Sequence, residues 1–225
     1  MTFDVFSALT DSRTGGSQFF SGLVAARGWD VTPIELFDQW DRLNKELHRT
    51  ERAWSSFTEL SRRALGSVYS EAGLPARDAG RDSDALLESM ADWPLWPDVS
   101  VSTLSAVGVN RLGLLSNIDD ALLKQTAAQR LGVFDQHLIV TSERMRAYKP
   151  NRSLYERAGE LLGDYTHIAS SARDVRGALS AGIPCIRLAR AGHHIDPEGP
   201  TPPLTAESIP DLRALLRDVP GRHRP

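Results

Sequence analysis

From about residue 99 onward, short apolar runs alternate with amphipathic ones, and that alternation predicts a parallel β-sheet flanked by helices. Residues 111–116 read as a strand, followed by a helix capped by Asp119 and running to Leu131. Residues 137–141 form the next strand. Residues 151–162 form a helix with Leu154, Tyr155, Ala158, Leu161 and Leu162 inward and Gly163 closing it. A strand over 165–169, a helix over 174–181 and a last strand over 184–188 complete the pattern. The segment 196–203 is loop-like, and 211–216 is a candidate terminal helix.

Residues 12–98 carry no alternating strand signal and read as helices. Thr32-Pro33-Ile34-Glu35 has the form of a capping box with proline at the first helical position, ahead of a stripe of Leu36, Trp40, Leu43 and Leu47. Ser56-Phe57-Thr58-Glu59 is a second such box; behind it Phe57, Leu60, Ala64, Leu65, Val68 and Ala72 recur at helical spacing until Gly73 and Pro75. A shorter helix around 85–90 ends at Trp93-Pro94.

The N-terminal stretch delivers a lone carboxylate, Asp4, from an apolar lead-in, and a small-residue turn follows at Ser7 and Ala8. The carboxyl end of a strand in an α/β sheet is where ligands bind. A carboxylate there serves as a metal ligand, as a covalent nucleophile, or simply as a cap on the next turn. Only Met1, Thr2 and Phe3 precede it, against about five or six residues in a usual strand, so a start further upstream or a replaced first residue is expected.

The 225 residues suffice for one core, or a core with a subdomain, and 41% hydrophobic with 24% charged residues is ordinary globular composition. A net charge of −3 gives no nucleic-acid footprint. The single cysteine, Cys185, excludes an internal disulfide and fits a reducing compartment. No apolar run approaches the roughly 18 residues of a membrane span, and no signal segment is evident, so a cytoplasmic setting is expected.

Phe3-Asp4-Val5-Phe6, continuing to Leu9 and Asp11, resembles the first motif of the haloacid dehalogenase superfamily. Leu114-Leu115-Ser116-Asn117 resembles its second motif, Ala147-Tyr148-Lys149-Pro150 its third, and Ala169-Ser170-Ser171-Ala172-Arg173-Asp174 its fourth. The four stand in order over nearly the whole chain, and the pattern is nearest to the 2-haloacid dehalogenase-like members. The resemblance implies a Rossmann-like core (1–11 and 99–225) with an inserted helical cap (12–98). It makes Asp4 the nucleophile and Lys149 the cation that keeps it ionised. It gives Asp174 the task of anchoring Lys149 or directing water or a metal, and makes Ser116 and Asn117 donors to an anionic substrate. A tyrosine follows the Lys-Pro pair in haloacid dehalogenases; Tyr148 and Tyr155 both match, and Tyr155 fits core packing equally.

Superfamily phosphatases carry an acid two residues after the nucleophile, which protonates the leaving alkoxide. Here Phe6 stands there, and a halide leaves without a proton. Ser170 likewise replaces a second acid of many phosphatases. The chain also departs from the dehalogenases: Ala8 replaces a threonine, and Ala169, Ser171 and Arg173 replace a serine, an asparagine and an aromatic. Arg42, beside Trp40, is a shifted candidate for the cap arginine that receives substrate, and Arg173 is a second anion-binding candidate. Trp40, Trp54, Trp93 and Trp96 line a pocket or pack in the core. The expected chemistry is displacement at carbon of a small organic acid through a covalent aspartyl intermediate, without cofactor; opening of a strained-ring acid is a variant. The alternatives are a Mg²⁺-dependent phosphatase, with Asp4, the Phe6 carbonyl and Asp174 as ligands, and a degraded ligand-binding or interaction protein. The expected partner is a small anionic molecule, with no nucleic acid or membrane; a homodimer stays open.

Overall fold

The computed structural model describes residues 1–217. Its centre is a six-stranded sheet in which every neighbouring pair is parallel. The strands are β1 (Thr2–Phe3), β2 (Leu112–Ser116), β3 (Phe134–Thr141), β4 (His167–Ala169), β5 (Cys185–Leu188) and β6 (Leu204–Ala206), in the order β3-β2-β1-β4-β5-β6. The chain winds outward one way from β1 to β3 and then crosses back to β4. The switch point therefore lies between β1 and β4, where a doubly wound sheet opens a crevice at its carboxyl edge. β1 is only two residues long, yet it is held on both sides. Its flanks extend the ladder, with Asp4 N–H donating to Ile168 O at 2.9 Å and Gly113 N–H to Met1 O at 2.8 Å.

Between β1 and β2 the chain leaves the sheet for a helical layer, α1 (Ser12–Arg27), α2 (Pro33–Thr50), α3 (Phe57–Glu71) and α4 (Ala79–Ser89), followed by the short α5 (Val101–Ala106). The excursion closes at its neck: Thr10 and Leu95 form an antiparallel bridge, Asp11 N–H donates to Pro94 O at 2.8 Å, and Trp96 N–H to Leu9 O at 3.0 Å. Two glycines let α1 sit close to this layer. A Cβ on Gly15 would strike the Trp93 ring, and one on Gly16 the Phe37 ring. One apolar cluster runs from Phe3 and Leu114 in the sheet through Leu60, Leu65 and Leu86 in the layer. A second lies under α9 (Arg152–Leu162) and α10 (Ala172–Ser180), around Leu115, Leu154, Tyr155 and Ala178.

Several expected elements shift. Thr32 precedes α2 but makes no side-chain cap bond, so the first capping box does not form. Ser56 does cap α3, its Oγ accepting from Glu59 N–H at 3.1 Å. Asp119 does not cap its own helix. Its carboxylate accepts from Phe57 N–H and Thr58 N–H, both at 2.9 Å, because the start of α3 presents unpaired donors that favour an anion. The helix expected to reach Leu131 breaks at Thr126, which is extended, into α6 (Asp120–Gln125) and α7 (Ala127–Arg130). Leu161 is exposed rather than inward, and α4 begins before residue 85. A short α8 (Ser142–Met145) follows β3, β6 adds a strand beyond the expected last one, and α11 (Leu212–Leu215) ends the described chain. No described helix is long and apolar enough to cross a membrane.

Candidate active site

β1 ends at Phe3, and the chain then makes one π-type turn, Val5–Leu9, closed by Thr10 N–H donating to Val5 O at 2.9 Å. Asp4 is the N-cap of this turn. Its Oδ2 accepts from Ser7 N–H at 2.8 Å and from the Ser7 hydroxyl at 2.5 Å. Its Oδ1 accepts from Lys149 Nζ at 2.7 Å. The ammonium donates also to Leu115 O at 2.7 Å and Asp174 Oδ2 at 2.5 Å, which uses all three of its hydrogens. Asp4, Lys149 and Asp174 are 6%, 6% and 3% exposed. Burial pulls the Lys149 pKa down, but the carboxylates of Asp174 and Asp4 outweigh it and the net shift is upward. Burial likewise pushes Asp174 up. The Lys149 charge and the His167 ring outweigh that and hold its carboxyl well below the usual range.

Asp174 is anchored from behind. The Tyr155 hydroxyl donates to its Oδ1 at 2.7 Å, and His167 Nε2 lies 3.1 Å from its Oδ2. A carboxylate only accepts, so that ring nitrogen carries hydrogen. Thr2 Oγ1, 2.9 Å from Nδ1, then completes the histidine's bonding. Asn117 grips the Lys149 backbone: its Oδ1 accepts from Lys149 N–H at 2.8 Å and its Nδ2 donates to Lys149 O at 3.1 Å.

These groups sit at one end of a cavity of about 630 Å³ between the sheet edge and the helical layer. Asp4, Phe6, Asn117, Lys149, Ser171, Arg173 and Asp174 all line it, so the fold brings most of the expected site together. Phe6 presents its ring, stacked on Phe57 at 6.0 Å and edge-on to Trp93 at 5.9 Å. Ser171 caps α10, its Oγ 3.4 Å from Asp174 N, and its own N–H donates to Ser7 Oγ at 3.3 Å.

Two expected residues fall elsewhere. Arg42 does not line the cavity; it faces solvent, 3.8 Å from Glu46. The inward stripe of α2 is Phe37, Trp40, Asn44 and His48, and a residue two after Trp40 points roughly 200° away from it. Ser116 is still inside the ladder, paired with Thr141, and is fully buried; its hydroxyl has no partner among the described residues and does not reach the cavity wall. Of the tryptophans, Trp40, Trp93 and Trp96 line the cavity. Trp54 instead belongs to a column of rings. Arg146 lies over Trp54 at 5.0 Å, Trp54 stacks on Tyr148 at 4.9 Å, Tyr148 on His48 at 4.1 Å, and His48 leans on Phe57 at 5.6 Å.

Ser7, His167, Asn44 and His48 carry no signal in the motifs. Ser7 supplies a hydroxyl beside the nucleophile position that Ala8 lacks. The spacing Phe37, Trp40, Asn44, His48 (i, i+3, i+7, i+11) is the clue available for the other wall.

Asp4, Asp174 and the Phe6 carbonyl are the groups a Mg²⁺ ion would use, and each already has partners within the chain. The Lys149 ammonium occupies the position between the two carboxylates, both oxygens of Asp4 and of Asp174 accept hydrogen bonds, and the Phe6 carbonyl accepts from Ser12 Oγ. No group of three or more His, Cys, Asp or Glu able to hold a metal occurs among the described residues.

No family model and no curated protein matches this chain. Solved structures do. An L-2-haloacid dehalogenase from Xanthobacter autotrophicus with chloropropionic acid covalently bound is 18% identical, with 96% of this chain and 97% of that one covered at a TM-score of 0.78. A defluorinating L-2-haloacid dehalogenase is 27% identical over 96% and 94%, at 0.79. A putative HAD-hydrolase from Bacillus subtilis bound to magnesium is 17% identical over 96% of each, at 0.73. With its sheet order and its inserted helical layer, this chain has the 2-haloacid dehalogenase-like fold of the haloacid dehalogenase superfamily.

Proposed function

We propose that the protein is a haloacid dehalogenase-like hydrolase that displaces a leaving group from carbon of an organic acid, with Asp4 as nucleophile. One Asp4 oxygen forms a C–O bond as the carbon–halogen bond breaks, and the halide departs with the electron pair. Water then adds to the Asp4 carboxyl carbon, the ester opens, and the products are a hydroxy acid, the restored carboxylate and one proton. Lys149 keeps Asp4 ionised and aimed. Asp174, saturated by Lys149, Tyr155 and His167, acts as a positioning residue. In this reading residues 12–98 are the cap and 1–11 with 99–217 the described part of the core.

The observation that carries the proposal is the pairing of a clamped, cavity-facing Asp4 with Phe6 two residues on. A phenyl ring cannot protonate an alkoxide, so a leaving group that needs no proton is favoured over a phosphate ester. Ser7 offsets the loss at Ala8. Chloride release from 2-chloropropionate and larger 2-chloro acids, with and without EDTA, tests it. EDTA is expected to change nothing, Asp4→Asn to abolish release, and the peptide bearing Asp4 to gain the mass of the acid on trapping. Metal-dependent phosphate release in place of halide release would overturn the proposal.

A further inference from the structure

The cavity's cations divide sharply. Lys149 holds Asp4 and Asp174, Lys45 pairs with Asp41 at 2.5 Å, and Arg13 pairs with Asp38 at 2.7 Å. Among the described residues Arg173 pairs with no carboxylate. Its one hydrogen bond among them is from Nη2 to the Lys45 carbonyl at 3.1 Å, and Asp41, whose charge it feels, is already engaged by Lys45. A guanidinium carries five N–H donors, so most of this one is unspent on a half-buried wall. Uncompensated charge in such a place is costly unless an anion completes it.

Next to the Lys45 carbonyl sits Asn44, 3% exposed, lining the same cavity. Its amide makes no hydrogen bond among the described residues, and its Oδ1 is buried without a partner. That oxygen only accepts, so a carboxylate would be met by the amide's Nδ2 hydrogens, which have no partner among the described residues. The same face of α2 continues to Trp40 and Phe37, against Trp93. Their polar atoms are already satisfied, Trp40 Nε1 by Ser61 O at 3.3 Å and Trp93 Nε1 by Ser89 Oγ at 3.1 Å, so only apolar ring surface remains. A three-carbon acid would leave most of about 630 Å³ unused, whereas cavities of roughly 300–1,000 Å³ suit much larger ligands.

Resting on the reading of Asp4 as nucleophile, we propose that the substrate is an organic acid with an arene-sized apolar group. Arg173 receives its carboxylate, Asn44 Nδ2 donates beside it, and the Phe37–Trp40–Trp93 wall takes the ring. Arg173, from α10, and Asn44, from α2, are then specificity residues where the two walls meet.

Titration calorimetry on the intact protein separates this from the chemistry, using probes that hold nothing for Asp4 to displace. Phenylacetate is expected to bind about tenfold or more tighter than either propionate or benzyl alcohol, a difference of about 1.4 kcal/mol. Arg173→Gln is expected to erase most of the phenylacetate advantage over benzyl alcohol, and Arg173→Lys to restore part of it. If the glutamine variant does not fold, the lysine variant is read by the same ratio. Propionate binding as tightly as phenylacetate overturns the proposal, as does an unchanged ratio in the Arg173 variants. If the binding pattern appears but 2-chloro-2-phenylacetate releases no chloride, the ligand class is upheld and the displacement reading falls.

Discussion

The two walls of the cavity are built on opposite rules. At the sheet edge, every hydrogen of the Lys149 ammonium and all four oxygens of Asp4 and Asp174 are matched within the chain. Facing it, the Arg173 guanidinium, which reaches from α10 to the Lys45 carbonyl of α2, and the Asn44 amide of α2 are left largely unmatched among the described residues. A saturated cluster is fixed before any ligand arrives, which suits groups that must hold a nucleophile ionised and aligned. An unsaturated wall gains bonds only when something enters, which suits recognition. On the proposed function, the difference separates residues that set the reaction from residues that choose what reacts.

The sharpest way to break that comparison is Lys149→Met. It leaves two buried carboxylates facing each other without a cation, and should cost about 3–5 kcal/mol of stability along with all turnover. Urea unfolding of the variant measures the loss; a change under 1 kcal/mol would mean that the cluster is not the rigid side (about one typical hydrogen bond,).

A middle-sized effect comes from pH. Burial first, and then Arg173 and Lys45, lower the His48 pKa from 6.5 to about 3. The unfolded chain therefore takes a proton below pH 6.5 that the folded chain refuses. Stability should be full above that pH and decline as pH falls toward 3. His193, also lowered by burial, adds in the same direction. Thermal melts across this range should show the decline in the native protein and a shallower one in His48→Phe. Equal slopes would remove His48 from the account.

The smallest effect sharpens the contrast from the other side. Asn44→Leu replaces an unmatched amide with an apolar side chain of similar size, so stability should stay within about 1 kcal/mol or rise slightly. Phenylacetate affinity should fall in the same variant. A large loss of stability would show that Asn44 is structural.

What the amino-acid order reveals tracks the same division. Asp4, Lys149 and Asp174 are readable because each stands in a motif that resembles the superfamily's, and the carboxyl edge of the parallel sheet brings them together. β6 escapes notice because Leu204, Thr205 and Ala206 are three residues beside Pro202 and Pro203, too few to show alternation. Ser7 reads only as a turn residue and His167 only as a strand residue; the π-type turn brings the one to Asp4, and the connection from β4 to α10 brings the other to Asp174. Asp119 was expected at its own helix and is spent on α3, 62 residues away from its partner Phe57. Arg42 fails because its neighbour Trp40 claims the inward direction of α2.

The column of rings from Trp54 through Tyr148 and His48 to Phe57 has a mechanical consequence. Offset overlap is the preferred arrangement of such rings, so each holds its neighbour's orientation. Tyr148 is the residue before Lys149, so the column ties α2, through His48, to the backbone that presents the Lys149 ammonium to Asp4. One stack of rings thus couples the helical layer to the Asp4 cluster.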